Sequence, residues 1–101
     1  MQVKVLYFDD CPNWKVARQR LHEALADAGL ANAVDVSYQT VETAEEAERL
    51  GFRGSPTILV DGRDPWAEGG AARGMSCRIY RTERGPDGAP SVAQLAEALA
   101  G

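Results

Sequence analysis

Cysteine is scarce in this chain, with two in 101 residues, and histidine is scarcer, with one. Two thiols are too few to staple a small secreted scaffold. In a reducing compartment they point instead to catalysis, redox sensing or metal binding, with two inert buried thiols as the plain alternative. No apolar run approaches the roughly 20 residues that span a bilayer, and no basic segment leads into an apolar stretch near the start, so the expectation is a soluble, cytoplasmic protein. Positive charge is also in deficit, with 11 Lys and Arg against 15 Asp and Glu and a sequence pI near 4.9. Neither nucleic acid nor an anionic membrane attracts such a surface. There is no internal repeat and no low-complexity tract. With 45% hydrophobic content, 101 residues suffice for one core, so residues 1–101 are expected to form a single domain.

The most informative stretch is QVKVLYFDDCPNW. Val3, Val5 and Tyr7 alternate with Lys4, Leu6 and Phe8, which predicts a strand that becomes apolar on both faces toward its end and so belongs mid-sheet. Asp9 and Asp10 break the pattern. Pro12 then suits the first position of a helix, with Cys11 as its cap. A thiol at that place meets the free N–H groups of Asn13 and Trp14 and the positive end of the helix dipole, which favour its thiolate. Asp9 and Asp10 oppose that effect. Either carboxylate is an acid/base candidate, although a turn pair that ends the strand is the simpler reading of both. His22 sits on the same helix, roughly 16 Å from Cys11 at about 1.5 Å per residue, and reads as a surface residue.

Further along, Trp14, Ala17, Leu21, Ala24, Leu25 and Ala28 recur at helical spacing, so a helix is expected over residues 12–28, ending at Gly29. Val34, Val36 and Tyr38 alternate with polar residues in a second strand that suits a sheet edge. Strand, helix, strand implies a right-handed parallel crossover. Thr43 with Glu46 is a capping box for a short helix that stops at Gly51, with Phe52 packed beneath it. Next comes GSPTILVDG, a strand that opens on Pro56 and closes on an Asp61-Gly62 turn. Residues 63–75 form an excursion, after which Cys77, Arg78, Ile79, Tyr80 and Arg81 alternate as a fourth strand, expected antiparallel to the third. Gly85-Pro86-Asp87-Gly88 reads as a turn, and Ser91 with Gln94 caps a final helix.

The order βαβ–α–ββ–α, with a cysteine after the first strand and Ser55-Pro56 before the third, resembles the thioredoxin and glutaredoxin superfamily along essentially the whole chain. That resemblance implies an α/β thioredoxin-like fold with a four-stranded mixed sheet. It also implies a cis Ser55–Pro56 bond facing Cys11 and a substrate site formed by Pro12, Asn13, Trp14, Ser55 and Pro56. The chain departs from the dithiol pattern at Trp14, which stands where the second cysteine of the motif would be. The variant C-P-N-W therefore looks like a one-thiol version. Trp14 itself reads first as packing and second as lining for the thiol.

The cysteine opening S-C-R-I-Y, taken with Cys11, is similar to the pair used by organomercurial lyases. Those enzymes also use an aspartate at the position that Trp14 holds here, so the resemblance extends to mercury binding more readily than to carbon–mercury cleavage. If the third and fourth strands were a plain hairpin, Cys77 would open the return strand at the end away from Cys11 and read as a buried core thiol. Three function classes follow. The first is a thiol–disulfide oxidoreductase in which Cys11 attacks a protein or small-molecule disulfide and an external low-molecular-weight thiol resolves it as co-substrate, without another cofactor. The second is lyase-like or soft-metal binding through Cys11 and Cys77. The third is a non-catalytic interaction module. The expected assembly is a monomer or weak homodimer.

Overall fold

Strand β1 (Gln2–Tyr7) occupies the centre of a three-stranded sheet of order β2-β1-β3, in a computed structural model that describes residues 1–67 and 77–100. Helix α1 (Asn13–Asp27) carries the chain to β2 (Asp35–Thr40), which runs parallel to β1 with Val3 opposite Val36 and Tyr7 opposite Thr40. Helix α2 (Ala44–Leu50) leads to β3 (Thr57–Val60), antiparallel to β1 with Leu6 opposite Thr57. A separate two-stranded ribbon, β4 (Tyr80–Thr82) with β5 (Gly85–Asp87), precedes α3 (Val92–Ala100). The chain is thus a small mixed α/β protein with three helices and sheets of three and two strands among its described residues.

The two faces of β1 build two cores. Val3 and Val5 pack with Ala17, Leu21, Ala24 and Leu25 of α1, Ile58 of β3, and Leu95 and Leu99 of α3. Leu6, on the opposite face, packs with Val41, Ala47 and Phe52, with Phe8 at the margin. That split explains why β1 alternates at its start and turns apolar on both sides at its end: α2 covers only the second half of the strand's other face, and Lys4 is exposed. Arg20 of α1 ties the first core to the chain before α3. Its guanidinium donates to the Ala89 and Pro90 carbonyls and to Asp87 Oδ2, the last at 3.0 Å. A hydrogen bond from Gly88 N–H, followed by the one from Arg20, holds the exposed Asp87 carboxyl below its usual range.

Local punctuation follows the sequence. Gly51 ends α2 at φ +72°, the left-handed region that glycine enters without steric penalty. The Asp61-Gly62 turn after β3 has φ of +49° and +83°, and Val60 N–H and carbonyl both pair with Arg63 across it. Ser91 Oγ accepts from Gln94 N–H at 3.1 Å while Gln94 Oε1 accepts from Ser91 N–H at 3.0 Å, a reciprocal cap. Ser91→Ala is expected to cost about 1 kcal/mol. An unchanged urea midpoint would mean that Leu95 and Leu99 alone set where α3 starts.

Three expectations need correction. The four-stranded sheet is not found among the described residues: β4 begins at Tyr80, three residues later than the pattern indicates, and pairs with β5 rather than β3. The expected turn at 85–88 is mostly strand, because the chain reverses just before Gly85, where φ is +104°. Helix α1 starts at Asn13, so Pro12 takes the cap position with no side-chain cap bond, and Cys11 lies one residue further out. The excursion over residues 63–75 lies partly outside the described residues. No described helix is long and apolar enough to cross a membrane.

Candidate active site

Cys11 is positioned by the tight turn between β1 and α1. Its N–H donates to Phe8 O at 3.2 Å, closing the Asp9-Asp10 turn, and the side chain is fully buried. Asp9 and Asp10 are exposed. Ser55 faces Cys11 from the segment just before β3: its Oγ accepts from Phe8 N–H at 3.4 Å, and its carbonyl oxygen lies 3.5 Å from Cys11 Sγ. Ser55 and Pro56 are both buried, and the peptide bond between them is cis.

Cys77 is joined to Cys11 by a disulfide, with the Cα atoms 6.0 Å apart. The hairpin placement of Cys77 is therefore wrong, and the reason is topological. Cys77 pairs with Ser55 in a parallel bridge, so the chain approaches β3 at the Ser55-Pro56 end, whereas a hairpin would bring it in at the Asp61-Gly62 end. Arg78 N–H donates to Ser55 O at 2.9 Å and fixes that alignment. The two cysteines differ in accessibility: Cys11 is 0% exposed, whereas Cys77 is an exposed residue.

The alternation after Cys77 is real but has the opposite sense to a simple amphipathic strand. Arg78 and Tyr80 point inward, and Ile79 is 68% exposed. A buried arginine requires partners. Arg78 has Asp64 Oδ2 at 2.6 Å, the Trp66 carbonyl at 2.6 Å and the Tyr80 ring 4.5 Å below its guanidinium. The side chains of Arg78 and Asp64 are each only 6% exposed. Tyr80 in turn donates to the Pro56 carbonyl and meets Trp66 edge to face. Burial pushes the Tyr80 hydroxyl well above its ordinary range, with the neighbouring Arg78 charge only partly offsetting it. Asp64, Trp66, Arg78 and Tyr80 thus hold the Cys77 segment against Ser55 and Pro56. Sequence reasoning missed all four. The available signal was an arginine alternating inward with a tyrosine, which calls for a carboxylate partner that only the fold can identify.

The other residues proposed from the sequence divide. Trp14 stacks on Tyr7 at 4.2 Å and approaches Tyr38, with the Arg18 guanidinium 5.2 Å from its ring centroid, so it packs over β1 and β2. Burial raises the Tyr38 hydroxyl, with Arg18 opposing. Asn13 lies against Gly88, where an added Cβ would collide with its side chain. Pro12 and His22 are exposed. Cys11, Cys77, Ser55 and Pro56 therefore come together, Asn13 lies against the loop before α3, and Trp14 joins an aromatic stack. No three His, Cys, Asp or Glu side chains cluster in metal-binding geometry among the described residues.

Comparison with models of protein families, with curated proteins and with solved structures finds no match to this chain.

Proposed function

We propose that this protein is a thiol–disulfide oxidoreductase that cycles between the Cys11–Cys77 disulfide and the paired thiols, with protein or low-molecular-weight thiols and disulfides as its substrates. The supporting observation is the pairing itself: two cysteines far apart in sequence meet at the Ser55-Pro56 end of the sheet, one buried and one exposed. A disulfide with one half-cystine at the surface presents a side for thiolate attack, whereas a bond with both halves sealed in a core is inert to it. With Cys77 beside Cys11, a second thiol lies within the chain. The external resolving thiol of the one-thiol scheme then becomes the reductant of the pair. The thioredoxin-like resemblance of C-P-N-W and Ser55-Pro56 points the same way.

In each cycle the protein disulfide takes up two electrons and two protons as two thiols are joined. Millimolar glutathione at neutral pH is expected to convert the oxidised chain to the dithiol, and glutathione disulfide to restore it, both read by intact mass. A Cys11–Cys77 bond that survives glutathione in the native protein identifies a static cross-link and sinks the redox reading.

A second reading shares the same observation. Once reduced, the pair places two soft ligands at one point, a donor set suited to a thiophilic cation such as mercuric ion. Trp14 offers no acid where the similar lyases have one, so this reading is capture rather than carbon–mercury cleavage. One equivalent of mercuric ion silencing both thiols of the reduced chain toward a disulfide reagent supports it. Full reactivity of both thiols in the presence of the ion removes it.

A further inference from the structure

We infer that the incoming thiol attacks the Cys77 sulfur and that Cys11 departs as the leaving group, the reverse of the roles that the C-P-N-W motif suggests. The inference rests on the thiol–disulfide reading above. Three observations carry it. First, Cys11 is fully buried whereas Cys77 is an exposed residue, so Cys77 is the half of the bond that lies at the surface, where an external thiol arrives. Second, the chain itself covers the approach to Cys11 along β3: the Ser55 carbonyl already accepts the Arg78 N–H, and Cys77 occupies the bridge position beside Ser55. Third, the two sulfurs differ in where they can put charge. Cys11 lies one residue before the cap of a 15-residue helix, at the positive end of its dipole, which favours a departing negative charge there. The nearest cation in sequence to Cys77 is Arg78, which is turned inward and committed to Asp64 at 2.6 Å.

The step balances. An external thiol gives its proton to water, and the thiolate bonds to Cys77 Sγ. The Sγ–Sγ bond breaks, and its electron pair leaves with Cys11. On taking a proton, the Cys11 thiol has the Ser55 carbonyl 3.5 Å away as acceptor. A second external thiolate then attacks the first thiol's sulfur in the mixed disulfide. It releases the Cys77 thiolate and a small disulfide, so that two thiols are oxidised and one protein disulfide is reduced. In the oxidative direction the same order runs backward: Cys77 carries the mixed disulfide and Cys11 closes the ring.

The test uses the unmodified oxidised chain. Intact mass first establishes that the Cys11–Cys77 bond is present. A brief pulse of glutathione is then quenched in acid, the freed thiol is alkylated with a maleimide at low pH, and the adducts are located by peptide mass spectrometry. The expected outcome is glutathione on Cys77 and the alkyl group on Cys11, in excess over the converse pattern by roughly tenfold, because access and leaving-group stabilisation act in the same direction. Glutathione mainly on Cys11, or an even split, overturns the assignment of roles while leaving the redox reading intact. Absence of the bond in the starting protein, or no adduct at either cysteine, overturns that reading and this assignment with it.

Discussion

Asp64→Ala is expected to lower the unfolding free energy by about 3–5 kcal/mol, the range for stranding one partner of a buried ion pair. The Arg78 and Asp64 side chains are each 6% exposed and 2.6 Å apart. Without the carboxylate, Arg78 keeps the Trp66 carbonyl and the Tyr80 ring, neither of which neutralises a full charge. Pairing this change with Arg78→Met, which removes the stranded charge as well, should restore much of the loss. Urea denaturation of the two single variants and the double variant reads all three values. A single-variant loss below about 1 kcal/mol would place this pair with the exposed Arg49–Glu46 contact, for which a few tenths is the normal worth. A double variant as unstable as Asp64→Ala would show that packing around Trp66 and Tyr80 was lost, not charge balance.

The same substitution reaches the site, because Arg78 N–H holds the Cys77 segment to Ser55. Loosening Arg78 lets Cys77 sample positions away from Cys11, which lowers the effective concentration of one thiol at the other. In a fixed glutathione buffer the Asp64→Ala chain should therefore carry a smaller oxidised fraction than the unaltered one.

What could be read from the sequence was what local chemistry determines. Thr43 and Ser91 form caps because their hydroxyls reach an N–H three residues on, and Gly51 ends α2 because no Cβ opposes its positive φ. The central place of β1 was visible because burial on both faces leaves no polar alternation at its end. Cys11 at the start of α1 and Ser55-Pro56 opposite it follow from the order of elements. Cys77 was not readable in the same way. Whether a segment after a long excursion meets β3 parallel or antiparallel depends on contacts made elsewhere, here Arg78 with Asp64 and Trp66. A period of two does not state which face is buried when the inward residues are an arginine and a tyrosine. The pattern therefore pairs the strand with β3, where the structure pairs it with β5, and puts Cys77 at the Asp61-Gly62 end, where the structure puts it beside Ser55.

Reducing the Cys11–Cys77 bond is expected to cost the fold about 4 kcal/mol. The bond spans 66 positions, and in the chain-entropy account closing a loop of that length withholds about 4 kcal/mol of conformational freedom from the unfolded state. Cys77→Ser should show nearly the same loss, because its side chain is at the surface and the substitution leaves no cavity. Urea denaturation of the oxidised chain, the fully reduced chain and Cys77→Ser tests this directly. Midpoints that translate to a difference under about 1 kcal/mol would show that the fold does not draw its stability from the cross-link. The thermodynamic cycle gives the result a second meaning. If the bond stabilises the fold by about 4 kcal/mol, the fold favours the bond by the same amount, roughly a thousandfold over the unfolded chain. In the proposed cycle folding is then the pre-organisation of the pair: Ser55, Arg78 and Asp64 hold Cys77 where Cys11 can reach it, and Cys77 lies at the surface. A large stability gap together with rapid reduction by glutathione is the combination expected of a cycling disulfide, whereas the same gap with no reduction is that of a structural staple.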